Sequence, residues 1–304
     1  YSRHGTERGI EFAASVDGVL TQLAKVVAER FGQSSIPQRL HYQSDFSNEA
    51  FASGVEHYLV ADYINAMPLF RAALSANPKF LAARRFLATS LTNSGALSEG
   101  INLMKENVIY AQQLNDQREH LRAVLMLGFW LANSEQKVID KAEDFQQAEA
   151  YLQQARELAE RYQDKLFIAY SYEELGRVKY KQGQLNIAKE YLSIALTYHQ
   201  GFRNSYGQTA ALIELAKIAA AESKTEISEE YFQQALKIVN DNDVPVNKVL
   251  VLLAKADVQN SRDQKSEAIN TAKNAMKIAK QSNNQYLINK VTAWFNQSAD
   301  KRIN

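Results

Sequence analysis

The sequence contains no cysteine. That absence excludes disulfides and thiolate metal centres, and it suits a bacterial cytoplasm or periplasm equally. Proline occurs 4 times and glycine 12 times in 304 residues. Turn-rich β architectures use more of both, whereas the abundant Ala, Leu, Gln, Lys and Glu favour helices. An excess of either charge is also missing. The 35 Lys and Arg against 34 Asp and Glu leave a formal charge of +1, so no global field draws in nucleic acid or an anionic membrane, and direct nucleic-acid binding is not expected. Long apolar runs are lacking too. The longest, Ala123 to Ala132, falls well short of the roughly 20 residues that a membrane helix needs, so membrane insertion by this chain is not expected. Because it begins at Tyr1 rather than Met, the chain is expected to be a fragment of a longer protein.

What is present is helical periodicity. Residues 1–46 read as a polar tail, a helix and a linker: Val16, Val19, Leu20, Leu23, Val26 and Val27 share one face of a helix over Ser15 to Arg30, and a linker begins at Gly32. From Ser47 onward, amphipathic helices come in pairs. The stretch Leu175 to Leu196 shows the unit: Gly176 where two helices touch, Gly183 at the turn, then Ala188, Leu192 and Ala195 as a small-large-small stripe. The small residue inside each first helix falls at Gly54, Ala88, Gly128, Gly176, Ala216 and Ala256, at intervals of 34, 40, 48, 40 and 40. An independent set in the second helices, Ala66, Gly100, Ala148, Ala188, Ser228 and Ala268, is spaced 34, 48, 40, 40 and 40. Two sets agreeing over six units define a repeat.

This pattern resembles the tetratricopeptide repeat. The match is closest at Ser47 to Phe80, with Gly54, Ala66, Phe70, Ala73 and a closing Pro78. The resemblance implies an all-α fold: a right-handed α-α superhelix of about six helix pairs, with an N-terminal helix and a C-terminal capping helix. The expected repeats are 47–80, 81–114, 115–164, 165–204, 205–244 and 245–282, followed by a cap over 283–304 that carries Leu287, Ile288, Val291, Trp294 and Phe295. Asn107, Ser228, Ala272 and Lys255 depart from the family pattern. The 40-residue units exceed the 34-residue unit by six residues, nearly one turn per helix, and such lengthened repeats look like those of bacterial peptide-sensing and effector-sensing regulators. Ser134 to Gln147 reads as an insertion between the helices of the third unit.

No catalytic set stands at a workable spacing, so the chain is not expected to be an enzyme. The five His residues never form a metal-binding pair, and neither metal nor cofactor is expected. RHGTE at the N-terminus (Arg3 to Glu7) is similar to the start of the histidine phosphatase signature, but no apolar strand precedes it. Glu173/Glu174 and Glu229/Glu230 read as solvated acids on helix faces.

The candidate site is the stripe of each first helix that lines the concave side of a superhelix. Spacings of 3, 4 and 3 place Tyr170, Glu173, Arg177 and Tyr180 together. The same register in the other units adds Phe51, Tyr58, Arg85, Arg122, Phe129 and Lys217. Guanidinium groups grip carboxylates and aromatic rings supply contact area at low entropy cost, so the expected ligand is a protein or peptide bearing acidic or C-terminal carboxylate groups. The competing reading is that such stripes are polar only because they face water.

The function expected from this organisation is a non-catalytic interaction domain. The order of helix, linker and repeats looks like the C-terminal sensory half of bacterial multidomain regulators, with a DNA-binding or kinase domain upstream. An assembly scaffold or chaperone-like adaptor is the alternative, and an enzyme built on the solenoid is a more remote one. Apolar residues on the cap, Trp294 and Phe295, leave pairing into a homodimer open.

Overall fold

The computed structural model describes residues 46–133, 141–242 and 245–300. The expected helix over Ser15 to Arg30, the linker, RHGTE, residues 134–140 of the expected insertion and the last four residues lie outside the described residues. Among the described residues the chain is all-α, with thirteen helices and no strand. It divides at Ala123/Val124 into two compact units.

The first unit holds α1 (Phe46–Leu59), α2 (Tyr63–Ala76), α3 (Leu81–Asn93), α4 (Leu97–Gln113) and the start of α5 (Gln117–Asn133). The second holds the rest of α5, then α6 (Lys141–Arg161), α7 (Lys165–Lys181), α8 (Leu185–Gly201), α9 (Ser205–Ala221), α10 (Thr225–Asp241), α11 (Pro245–Ser261), α12 (Lys265–Gln281) and α13 (Gln285–Asp300). The helices of the longer units span 17 residues where α1 and α2 span 14, so each is about one turn longer. α6 runs for 21 residues. Lys141 to Gln147, expected as part of an interhelical insertion, are therefore helical and extend α6 at its N-terminus.

The small residues act where the pattern places them. Ala66, Ala148 and Ala188 are wholly buried, as are the large residues one turn on, Phe70, Met104, Leu152 and Leu192. Three first-helix glycines give the room that these large side chains occupy. A Cβ on Gly54 would stand 2.6 Å from the Phe70 ring, one on Gly128 2.5 Å from Leu152, and one on Gly176 2.6 Å from Leu192. Close crossing of paired helices therefore requires glycine there.

Departures from the repeat pattern have local causes. The Ser228 hydroxyl donates to the Ala216 carbonyl at 2.9 Å across the α9/α10 crossing, so a polar atom sits in the core at no loss. Asn107, buried where a small residue is usual, donates to Glu119 at 3.2 Å. Lys255 leaves the expected leucine position to pair with Glu229. Ala272 shares a core cluster with Leu287, Val291 and Trp294 of α13, which supply the bulk that Ala272 lacks. The Trp294 indole N–H also donates to Asp257 at 2.6 Å. Trp294 is buried and Phe295 half-buried against this same cluster.

Two turns use glycine at positive φ, Gly95 and Gly183. Seven others place non-glycine residues in the left-handed region, among them Gln163, Arg203, Ser223 and Asn283. At three turns of the second unit such a residue is followed by a capping acceptor. Asp164 takes the Phe167 N–H at 3.3 Å, Asn204 that of Gly207 at 3.2 Å, and Asn284 that of Leu287 at 3.2 Å, which ends one helix and starts the next within a few residues.

Candidate functional site

In the first unit, the expected groove residues Phe51 and Tyr58 are engaged in packing. Phe51 lies between Phe80, Phe86 and Phe70 with ring centroids 4.7, 5.5 and 5.9 Å away, and Tyr58 stands edge-on to Phe86 at 4.8 Å. Arg85 is tied to buried Glu119 at 2.6 Å, and Arg122 approaches the other oxygen of the same carboxylate at 3.6 Å. Asn107 completes the shell. The cations expected to stand ready for a ligand thus neutralise an internal carboxylate, which burial would otherwise make costly. Arg84, a neighbour the sequence did not single out, is buried. It donates to Glu106 at 2.8 Å and to the Pro78 carbonyl at 2.6 Å, with its guanidinium over the Tyr110 ring.

In the second unit, Glu173, Arg177 and Lys217 fall into one polar cluster, with the Tyr170 hydroxyl 3.5 Å from the Asn204 amide at its edge. Arg177 reaches Glu173 at 2.7 Å, Glu174 at 2.5 Å and Glu214 at 3.6 Å, and Glu214 also takes Lys217 at 3.1 Å. Glu173 and Glu174, expected as solvated acids, are 3 % and 8 % exposed. They are buried because Arg177 reaches both along its own helix, at i+4 and i+3. Burial pushes the Glu174 carboxyl up to about 7; Arg177 opposes the shift, while Glu173 and Glu214 add to it. One Glu174 oxygen has no hydrogen-bond partner. For Arg177, burial works against the charge, but the three carboxylates outweigh it and hold the guanidinium ionised. Tyr180 packs against the core of the following pair, and burial raises its phenol above the ordinary value. Phe129 stays partly exposed, at 39 %.

The sequence missed the residue at the centre of this cluster. His199 is wholly buried, 3.0 Å from Glu173. A carboxylate only accepts, so the imidazole Nε2–H donates to it and Nδ1 accepts from the Asn204 amide at 3.2 Å. Gly207 leaves space for the ring: a Cβ there would come within 2.3 Å of it. A continuous polar chain therefore runs from Asn204 through His199, Glu173, Arg177 and Glu214 to Lys217, tying α7, α8 and α9 together.

Beside this chain a cavity of about 310 Å³ opens on α9 and α11. Ile213, Leu250, Leu253 and Ala254 form its apolar floor, and Arg177, Glu214, Lys217, Asp257 and Lys290 bring charges of both signs to its rim. Asn247, only 4 % exposed, lines the cavity, and its side chain has no hydrogen-bond partner among the described residues. Its carboxamide offers two donors and an acceptor. The arrangement can hold a chain of mixed polarity by its amide groups and apolar side chains. Among the described residues, no three His, Asp or Glu side chains are grouped to hold a metal ion, and no helix is long and apolar enough to cross a membrane.

No family model and no curated protein matches the sequence. In structure, the chain is similar to the apo form of RapI, with a TM-score of 0.64 and 10 % identity over 92 % of this chain and 96 % of that one. It is similar to aspartyl phosphate phosphatase F from Bacillus subtilis, with a TM-score of 0.61 and 13 % identity over 96 % and 76 % of the two chains. A third likeness is to a thermophilic TPR protein of Thermus thermophilus, with a TM-score of 0.50 and 21 % identity over 68 % and 99 %. At these identities the likeness shows the fold: helix pairs of the tetratricopeptide type, stacked as a solenoid.

Proposed function

We propose that this chain is a non-catalytic, peptide- or protein-binding repeat domain, the sensory or regulatory part of a larger bacterial signalling protein such as a transcription regulator or kinase. The observation that carries the reading is the α9/α11 cavity, where Asn247 lies beside an apolar floor and its carboxamide has no hydrogen-bond partner among the described residues. A carboxamide offers two donors and an acceptor, and a peptide main chain supplies the groups that pair with them. The groove cations recognise charge less than a bare basic stripe would, because Arg177 and Lys217 already face Glu173, Glu174 and Glu214. Recognition then rests on amide pairing and apolar contact, with charge setting orientation.

The test is selection of random octapeptides against the folded chain, followed by titration of the enriched peptides. Binding should raise thermal stability by mass action, and Asn247→Ala or Leu250→Asp should abolish it. Enriched peptides that bind these variants as well as the parent would remove the cavity from the reading. Failure of any peptide to bind, with stabilisation by folded proteins alone, would favour the scaffold alternative.

A further inference from the structure

The two edges of the second unit differ in a way that the fold does not require. Where first helices end and second helices begin, the turns are polar, Gln182 to Gln184, Glu222 to Lys224 and Arg262 to Gln264, and the large apolar side chains exposed beside them are Ile187 and Ile227, at 39 and 40 %. Charges there pair locally, as in Lys224–Glu222 and Lys265–Asp263. At the opposite edge, the second residue of four consecutive first helices is a large apolar or aromatic side chain left open to solvent. Leu166, Tyr206, Val246 and Tyr286 are 38, 56, 37 and 64 % exposed. They recur every 40 residues, and the helices that carry them pack in order, α7 on α9, α9 on α11 and α11 on α13. Phe202, also exposed, precedes Tyr206 by one turn of chain. A repeated exposed apolar row is not needed for packing, and it marks an interaction surface.

The charges beside this row set the partner's chemistry. Arg161, Lys165, Arg203, Lys248, Lys280 and Lys290 lie on or within two turns of the edge, and none forms an ion pair among the described residues. The acids described here are fewer: Glu157; Glu160, which approaches Arg156 at 3.8 Å; Asp164, engaged as the cap of α7; and Asp241. The groove cations, by contrast, are paired. We propose that this edge docks a linear acidic segment of a partner protein, with an apolar side chain at every third position. Neighbouring helices stand about 10 Å apart and an extended chain advances about 3.3 Å per residue, so each third side chain meets one rung of the row while the acids between them face the unpaired cations. The row is one side chain wide and is interrupted by the polar caps Asn204 and Asn284. That shape fits a linear ligand, whereas a bilayer wets a plane. The edge meets the cavity at Tyr206 and Lys290, which line both, whereas Leu166, Val246 and Tyr286 do not line the cavity, so variants at those three separate this inference from the cavity reading.

The experiment is fluorescence anisotropy of the intact chain with a labelled fifteen-residue probe of repeated Leu-Asp-Glu. Comparators are repeated Leu-Lys-Lys, an acidic peptide of the same composition with its leucines clustered, and phosphatidylserine-containing vesicles. The acidic repeat should bind, more weakly as salt rises. The triple variant Leu166→Ser/Val246→Ser/Tyr286→Ser and the double variant Lys165→Glu/Arg203→Glu should each weaken it at least about tenfold. Far-UV circular dichroism and Tm should stay at parent values, and Asn247→Ala should bind the probe as the parent does. The proposal is overturned by any of four results: equal binding of the basic or clustered peptide, binding of vesicles without the peptide, indifference of binding to both edge variants, or a light-scattering mass of two chains that falls to one in the triple variant.

Discussion

Substituting Gly176 by alanine tests the helix crossing on which the repeat rests. On intrinsic propensity alone, Gly→Ala inside a helix stabilises by about 1 kcal/mol. At this site the new Cβ would stand 2.6 Å from Leu192 Cγ, 3.1 Å from its Cδ2 and 3.3 Å from the Ala188 carbonyl oxygen. Ordinary carbon contacts begin near about 3.5 Å, so the overlap approaches about 1 Å. Leu192 is wholly buried and cannot swing aside into solvent. Overpacking of this kind costs about 1–3 kcal/mol, and after the propensity gain a net loss of about 1–2 kcal/mol is expected. Leu192→Ala alone should cost about 2–5 kcal/mol through lost transfer energy and a cavity. In the double variant the alanine methyl occupies part of that cavity and meets no clash, so the pair should be more stable than the sum of singles by about 2 kcal/mol. Repeat arrays open locally, so the suitable assay is native-state hydrogen exchange read by mass spectrometry on peptides from α7 and α8. Stronger protection in Gly176→Ala, or an additive cycle, would refute the tight-crossing account.

Glu174 makes stability depend on pH. Its folded pKa of about 7 lies above the ordinary 4.5, so between these values the folded state keeps a proton that the unfolded state has released. The associated stability is complete below about pH 4.5 and is lost as pH rises through about 7, by roughly 3 kcal/mol at most. Glu174→Gln should flatten that slope in exchange measurements from about pH 5 to 8, and parallel profiles for parent and variant would contradict the assignment. Gly207→Ala should displace the His199 ring from Glu173 and cost about 3 kcal/mol or more, as should His199→Leu, because each leaves a buried carboxylate without its donor. Combining them should add little, and full additivity in denaturant melts would argue against a shared cause. Ser223→Gly, at φ of 61°, should stabilise by about 1 kcal/mol by relieving a left-handed backbone that disfavours a Cβ, and a lower Tm would show that the serine has another role.

The repeat was legible because its requirement is local and recurrent: a small residue must stand wherever paired helices cross, and Gly54, Gly128 and Gly176 each do so against a large partner. The groove register was legible as far as periodicity reaches, which brought Glu173, Arg177 and Lys217 to one place. What periodicity could not give was the pairing among them. Arg177 reads as a free cation until Glu173 and Glu174 are seen against it at 2.7 and 2.5 Å, with Glu214 of the next first helix 3.6 Å away. Phe51 and Tyr58 occupy groove positions by count, yet their rings turn into the aromatic packing of the first two pairs. His199 did leave a trace. Its counterparts in the sister helices are Ala159, Val239 and Ala279, while Glu173 stands in line with Ile213 and Leu253. Two polar intrusions into apolar columns, 26 residues apart, meet only once the helices are stacked.

The His199–Glu173 pair has a bearing on how such an array can change over generations. Modular arrays lengthen and shorten readily when every joint is alike, since any unit can follow any other. Here, the joint of α7 and α8 with α9 accepts only a neighbour that brings glycine at the position of Gly207, and the joint around Glu119 accepts only one that brings Asn107 and Arg85. Duplicating, deleting or reordering a unit would strand a charged group in the interior. These buried keys fix the sequence of the modules, and with it the order in which their outward faces are presented to whatever they meet.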